Sequence, residues 1–348
     1  MRYRLSARSG NKIGEPGLWE TVRDHWLGWR RPFDWIQVEV TSRCPGSCTY
    51  CPHTTMRAEW HSRDMDMETF TLLWPLMRRA GRVHLQGWGE PLLNPAFFAM
   101  SALARKAGCA VSTTTCGLTM NEELAVKVVE AGLDIVAFSL AGTDAASNAS
   151  RHGVEFDRVC EALSVLQTVR RARPAVHLEI HVAYLMLAST MEAVRGLPGL
   201  MHRLGVDAAV VSTLDYIPSL ELEPEGFAPH EAGKLARAAA LLRETEIEAR
   251  RLGVGFHWGL PRPEASGTSC KEKIDRSLYV GADGSVSPCV YVNLPAAAFD
   301  PRRRIFGNVR EQDPLRIWEG GECRRFRDRL AGGDPDFPCM KCPKRFST

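Results

Sequence analysis

Eleven cysteines lie among the 348 residues, and seven of them fall into two groups. Cys44, Cys48 and Cys51 form a Cys-x₃-Cys-x₂-Cys triplet within Cys-Pro-Gly-Ser-Cys-Thr-Tyr-Cys-Pro. Three thiols that close together on a Pro/Gly loop cannot all sit in an apolar core, whereas as thiolates they are ligands for a soft metal or an iron–sulfur cluster. Zinc would want a fourth ligand. Three thiolates leave one iron of a [4Fe–4S] cluster without a protein ligand, open to a small molecule. The second group is Cys270, Cys289, Cys339 and Cys342: a Cys-x₁₈-Cys pair, a long gap, then Cys-x₂-Cys. Four thiolates from distant segments can ligate one [4Fe–4S] cluster completely or one zinc tetrahedrally, and spacing alone does not choose.

With the aromatic Tyr50 before its last cysteine, the triplet closely resembles the cluster motif of the radical S-adenosylmethionine (SAM) family. The resemblance implies a [4Fe–4S] cluster on Cys44, Cys48 and Cys51, with SAM on the open iron. Gly87-Trp88-Gly89-Glu90-Pro91 stands where the family has Gly-Gly-Glu-Pro to bind the methionine amino group, and Trp88 replaces a glycine. Backbone carbonyls and the Glu90 carboxylate can accept the ammonium protons. Ser139-Leu140-Ala141-Gly142 resembles the family's Ser-x-Asp-Gly, with Ala141 in place of the acid. Arg151 matches an arginine that pairs with the SAM carboxylate, a task a planar guanidinium suits. Tyr50, Gly87, Gly89, Glu90, Thr114, Ser139 and Arg151 are therefore the expected SAM contacts.

The second set is similar to the shortened auxiliary-cluster domain of that family, called twitch, a cut-down relative of the SPASM domain. The likeness rests on Gly284 five residues before Cys289, on the closing Cys-x₂-Cys, and on the spacer residues Phe306 to Val309, Ile317-Trp318 and Phe326-Arg327. It implies a second [4Fe–4S] cluster, held by Cys270, Cys289, Cys339 and Cys342, and a flavodoxin- or ferredoxin-type reductant. Among the other cysteines, Cys109 and Cys160 read as core residues. Cys116 ends a predicted strand and could return hydrogen to a substrate radical; Cys323 is a spare ligand or thiol donor. Asp215 and Tyr216 are candidates for acid–base contacts with substrate.

The elements that must position these groups alternate. Strands are expected over 35–41, 82–86, 110–114, 134–140, 177–185 and 206–212, with helices over 67–80, 95–107, 122–131, 156–171 and 191–203. Gly81, Gly108, Gly132 and Gly205 mark the joints as helix-ending glycines. Six βα units predict an α/β fold, a partial (β/α)6 TIM-type barrel with chemistry at the C-terminal ends of its strands. A short helix is expected over 18–27, a long one over 230–251, weak strands near 277–280 and 285–292, and a helix over 315–330. The expected domains are an N-terminal extension (1–34), the radical SAM partial barrel with linker and helix (35–258), and a small Cys-rich auxiliary Fe–S domain (259–348).

A net charge of +3, spread along helices, gives no support to nucleic-acid binding. No apolar run approaches the roughly 20 residues of a membrane span. The basic start leads into no apolar segment, so a reducing, cytoplasmic setting is expected and ligation is the better reading of the cysteines. The leading expectation is an oxidative enzyme with two [4Fe–4S] clusters and SAM that modifies a peptide or protein as a maturase. A dehydrogenase or epimerase of a small sugar or aminocyclitol is the runner-up, and a zinc-stabilised binding protein the alternative from another class.

Overall fold

The computed structural model describes residues 32–262, 267–295 and 300–347. The helix expected over 18–27 lies outside the described residues. Ten strands form one sheet: β1 (Phe33–Val38), β2 (Ala80–Leu85), β3 (Ala110–Thr115), β4 (Ile135–Leu140), β5 (Glu179–Met186), β6 (Ala208–Thr213), β7 (Gly255–Trp258), β8 (Ser277–Val280), β9 (Ser285–Ser287) and β10 (Gly307–Asn308). Their order is β10-β9-β8-β1-β2-β3-β4-β5-β6-β7. From β8 across to β7 every pairing is parallel, and only β8–β9 and β9–β10 are antiparallel. The chain is thus α/β, with the parallel sheet of a partial barrel continued by a Cys-rich C-terminal region.

Alternation within the strands explains the layering. In β5, Ile180, Val182, Tyr184 and Met186 are buried while Glu179, His181, Ala183 and Leu185 are half-buried, the period-2 pattern of a sheet with two unlike faces. The six predicted units all form, but the sheet runs on past them. The apolar run near 254–258 becomes β7 beside β6, with Ala208 opposite Gly255. At the other edge β8 joins β1, with Trp35 opposite Ser277. One continuous core therefore runs from Phe33 and Ile36 in β1 to Leu278, Val280, Val286, Val309 and Ile317 in the last third. Asp34 reinforces the seam through ion pairs to Lys273 and Arg276, both at 2.7 Å.

Several predicted helices are shorter or broken, each for a backbone reason. The segment 67–80 splits into Met67–Thr71 and Trp74–Met77, because Pro75 has no N–H to give the carbonyl four residues back. Over 191–203 the first half winds as a 3₁₀ turn, Met191–Gly196, and an α-helix starts at Leu197, just before Pro198. The predicted 315–330 helix breaks at Gly320, whose ψ of 152° is extended. Residues 290–292 form a 3₁₀ turn rather than strand. Gly108, Gly132 and Gly205 have the left-handed φ of helix-ending glycines, whereas Gly81 lies inside β2. Among the described residues, no helix is long and apolar enough to cross a membrane.

Candidate active site at the mouth of the barrel

The loop after β1 carries the first cysteine set and is tied down from several sides. Arg43 pairs with Asp64 at 2.7 Å and donates to the Leu93 carbonyl at 2.7 Å. Ser47 N and Thr49 N donate to the carbonyls of His152 and Ser150 at 2.8 and 2.9 Å, which docks the cysteine loop onto the segment bearing Arg151. Cys51 then caps the short helix Pro52–Thr55, where Thr54 N and Thr55 N donate to its carbonyl.

Burial pushes the Cys44 thiol up to about 11 and the Cys51 thiol up to about 12, and both feel the charge of Cys48. The Gly46 and His53 amides donate to the sulfurs of Cys44 and Cys51 and oppose that shift. Arg151, itself 8% exposed, donates from Nη1 to the Tyr50 hydroxyl at 3.2 Å, and its buried Nε has no partner. A guanidinium stays charged at any ordinary pH. Neighbouring thiols, two of them with amide donors on sulfur, beside a buried cation that has no carboxylate partner among the described residues, fit an anionic cluster and a carboxylate-bearing ligand. Among the described residues, no three His, Cys, Asp or Glu side chains are drawn to the spacing of a single metal ion.

Gly89 sits where β2's loop crosses under the cysteine loop. A Cβ there would lie 2.2 Å from the Thr41 carbonyl oxygen and 2.7 Å from that of Arg43, so only glycine permits the crossing. The neighbouring Glu90 is buried, with Oε1 accepting from Thr115 Oγ1 at 2.7 Å and Leu92 N at 3.3 Å, and Oε2 from Cys116 N at 2.6 Å. The Cys116 thiol bonds the same carboxylate, so its acceptor capacity is spent on the end of β3 and on its own loop. Thr114 and Ser139 are half-buried near the ends of β3 and β4. Asn148 supports the loop after β4 by accepting from Ala141 N at 2.9 Å. Cys116 is held beside Glu90; burial, then that carboxylate, drives its thiol pKa upward, and it also senses Cys44.

The second set also comes together. Burial pushes Cys270 and Cys339 up to about 12 and Cys342 up to about 11, with Cys289 raised as well; Cys270, Cys289 and Cys339 are each raised further by Cys342, and Cys342 by Asp215 and Glu272. Cys270, Cys289 and Cys339, together with Phe306, pack against a small core of Ile274, Phe326 and Leu330. Cys323 stands apart from the four, its sulfur accepting from Arg327 Nη1 at 2.9 Å. Cys109 is buried and donates to the Met77 carbonyl, as a core residue does, while Cys160 is only half-buried at the rim of its helix face.

Four participants escape sequence reasoning. Lys344, two residues past Cys342, is buried in an ion pair with Glu272; its Nζ lies 3.3 Å from Asp215 Oδ2 and 5.3 Å from the centre of the Tyr291 ring. Asp215 also accepts from Thr213 Oγ1 at 2.8 Å. Tyr291 stacks on Tyr216 at 6.4 Å, and Trp88 packs against both at 6.0 and 6.2 Å. The loops after β2, β6 and β9 thereby meet in one aromatic cluster. The signal for Lys344 is its place just after a ligand cysteine; nothing local marks Tyr291 or Glu272.

The fourth is Glu39, which follows β1 and accepts from Trp88 N at 2.9 Å and Ala282 N at 3.2 Å. Burial lifts its carboxyl to about 7 in spite of those donors. With the folded value above the ordinary 4.5, its stabilising contribution is complete below pH 4.5 and is lost as pH rises through 7. Between pH 5 and 8, the stability difference between wild type and Glu39→Gln is expected to fall by about 3 kcal/mol, read from urea unfolding of the reduced, iron-free chain. Parallel pH profiles would show the carboxylate ionised throughout.

Comparison with known proteins agrees with this geometry. Residues 38–182 match the Radical SAM superfamily, and residues 270–343 match the iron–sulfur cluster-binding domain called SPASM. The chain is 25% identical over 314 residues to the tungsten-containing aldehyde ferredoxin oxidoreductase cofactor-modifying protein of Pyrococcus furiosus, covering 84% of this chain and 83% of that one. It is 26% identical over 320 residues to the PqqA peptide cyclase of Xanthomonas euvesicatoria, covering 89% and 80%. Among solved structures, SAM-bound SuiB of Streptococcus suis superposes with a TM-score of 0.65 at 14% identity over 97% of this chain and 79% of that one. Native anSMEcpe with bound AdoMet does so at 0.63 and 18% identity, over 85% and 84%. Two cysteine sets on a partial parallel barrel, matched in both halves, make the chain a radical SAM enzyme with a C-terminal SPASM iron–sulfur domain.

Proposed function

We propose that this enzyme oxidises or cross-links a peptide or protein substrate, with its second cluster accepting an electron. The observation that carries the reading is Lys344, which links the loop of the second cysteine set to Asp215 at the end of β6. A similarity to PqqA peptide cyclases over four-fifths or more of both chains supports a peptide over a sugar. When bound, a [4Fe–4S] cluster with SAM on Cys44, Cys48 and Cys51 supplies a hydrogen-abstracting 5′-deoxyadenosyl radical, and a [4Fe–4S] cluster on Cys270, Cys289, Cys339 and Cys342 supplies a one-electron acceptor.

The chain's own residues do the rest. Arg151, oriented by Tyr50, pairs with the SAM carboxylate, and the carbonyls of Gly87 and Gly89 receive the ammonium beside the buried Glu90. Thr114 and Ser139 line the nucleoside side. Asp215 takes the proton that leaves as the substrate is oxidised, at an oxygen whose charge Lys344 holds in place. Trp88, Tyr216 and Tyr291 keep water from the reacting carbon.

Replacing Arg151 with Ala should weaken SAM binding roughly tenfold to a hundredfold, the loss of one charge-assisted pair. Calorimetry on the reconstituted protein checks this, and unchanged affinity would leave the arginine a support for the loop. The reading as a whole is tested by anaerobic reconstitution: about eight irons per chain, 5′-deoxyadenosine formed from SAM under dithionite, and a precursor peptide that loses two hydrogens. A colourless protein holding zinc would overturn it, and oxidation of an aminocyclitol in place of any peptide would move the substrate to the sugar class.

A further inference from the structure

We infer that Glu39 is a positioning residue for SAM: by holding the peptide unit between Gly87 and Trp88, it aims the Gly87 carbonyl at the ammonium group and strengthens that bond with its own charge. The inference rests on the reading that the carbonyls of Gly87 and Gly89 receive the ammonium. A trans peptide points its N–H and its C=O in opposite directions, and none of the described peptide bonds is cis. Whatever anchors the N–H therefore aims the carbonyl. Glu90 N donates to the Arg43 carbonyl at 2.7 Å, which fixes the unit that carries the Gly89 oxygen. Trp88 N donates to Glu39 Oε1 at 2.9 Å, which fixes the unit that carries the Gly87 oxygen. Of these two anchors, a carbonyl and a carboxylate, only the second can change its charge.

Glu39 is itself held from outside that loop. It is buried, and its Oε2 accepts from Ala282 N at 3.2 Å, so the C-terminal module sets the carboxyl plane on which the loop after β2 rests. Gly87 lies so close that a Cβ there would come within 2.4 Å of Glu39 Cγ. The Trp88 ring packs at 6.0 Å from Tyr291 and 6.2 Å from Tyr216, which keeps the unit from turning over. Gln86 Nε2 donates to the Gly87 oxygen at 2.5 Å, and a carbonyl has a second lone pair for the ammonium. Carboxylate, peptide and cation then stand in a row in which each bond polarises the next. By linkage, the Glu39 carboxyl falls below its value of about 7 when an ammonium is bound, and its proton leaves as SAM arrives. The other ionisable groups that bear on it are the Tyr279 hydroxyl on β8 and the Asp283 carboxylate in the turn that follows. The loop from Gln86 to Gly89 contributes none.

The test is calorimetry of SAM binding to the anaerobically reconstituted, full-length protein, in two buffers of different ionisation enthalpy. The range is about pH 6 to 7, where an α-ammonium stays charged. For a Glu39 pKa lowered by about 1 on binding, wild type should release about half a proton per SAM near pH 6.5 and bind about threefold less tightly at pH 6 than at pH 7. Glu39→Gln should show neither the release nor the pH dependence. Arg151→Ala, which loses a contact that does not titrate, should bind more weakly and keep the wild-type release. Wild type that binds SAM without releasing a proton would overturn the inference. So would equal release from Glu39→Gln, or release on binding 5′-methylthioadenosine, which lacks the ammonium. The wild-type measurement needs no variant, so it stands even where Glu39→Gln does not fold. Absence of SAM binding by reconstituted wild type would instead overturn the site on which the inference rests, a failure distinct from that of Glu39.

Discussion

Changing Cys44, Cys48 and Cys51 together to Ala is expected to abolish SAM cleavage and to remove half of the iron, while the chain stays folded. The three thiols lie on a loop whose fastening runs through other atoms: Arg43 to Asp64 and the amides of Ser47 and Thr49 to the 150–152 backbone. Loss of three half-buried sulfurs therefore costs little packing, and the core beneath β1 does not include them apart from the flank of Cys48. Without ligands for the first cluster no electron reaches SAM, so 5′-deoxyadenosine should drop to background, at least a thousandfold below wild type on the order of the barrier such cofactors lower. Iron analysis and chromatography of the nucleoside products check both halves. Persistent 5′-deoxyadenosine would remove the triplet from the mechanism.

A chain with Cys339→Ala and Cys342→Ala should behave in the opposite way. SAM cleavage continues, because it draws only on the first set, yet oxidised product falls by an order of magnitude or more, since the substrate radical has no acceptor. Iron should drop from about eight to about four per chain. Circular dichroism must show the fold retained, and the structure gives reason to expect it: Leu278, Val280 and Val286 belong to the main core rather than to the cysteine set. With the substrate in hand, 5′-deoxyadenosine and product are measured side by side. A redox-neutral product from wild type would sink the acceptor role and favour an epimerase. Hydrogen would then return from a thiol such as Cys116, which burial beside Glu90 keeps protonated.

Much of this site can be read from the chain because its chemistry is local. A cysteine triplet spans eight positions, Gly89 and Glu90 are adjacent, and strand periodicity put each motif at the end of a strand. What stayed hidden depends on register between distant segments. That β8 lies beside β1 follows from pairing Trp35 with Ser277, which no short pattern announces. Glu39 reads as one more residue of a strand end until Ala282 arrives to hydrogen-bond with it. Lys344 carries no local signal of its partners, and only the folded chain brings it to Asp215 and Glu272. The break in the helix expected over 67–80 is a local matter, since Pro75 alone is enough to interrupt it.

The parallel pairing of β8 with β1 has a consequence for how the protein can be made and altered. During synthesis, β1 emerges early and keeps one edge open until its neighbour is translated; Asp34 meets Arg276 only 242 positions later. An open apolar edge held for so long invites pairing with another nascent chain. A truncation that removes the C-terminal module would leave that edge exposed for good, so the shortened barrel should aggregate, where a domain merely tethered by a linker would have come away cleanly. Grafting such a module between relatives would have to carry β1 along with it, making the first strand and the last third of the chain a single heritable unit.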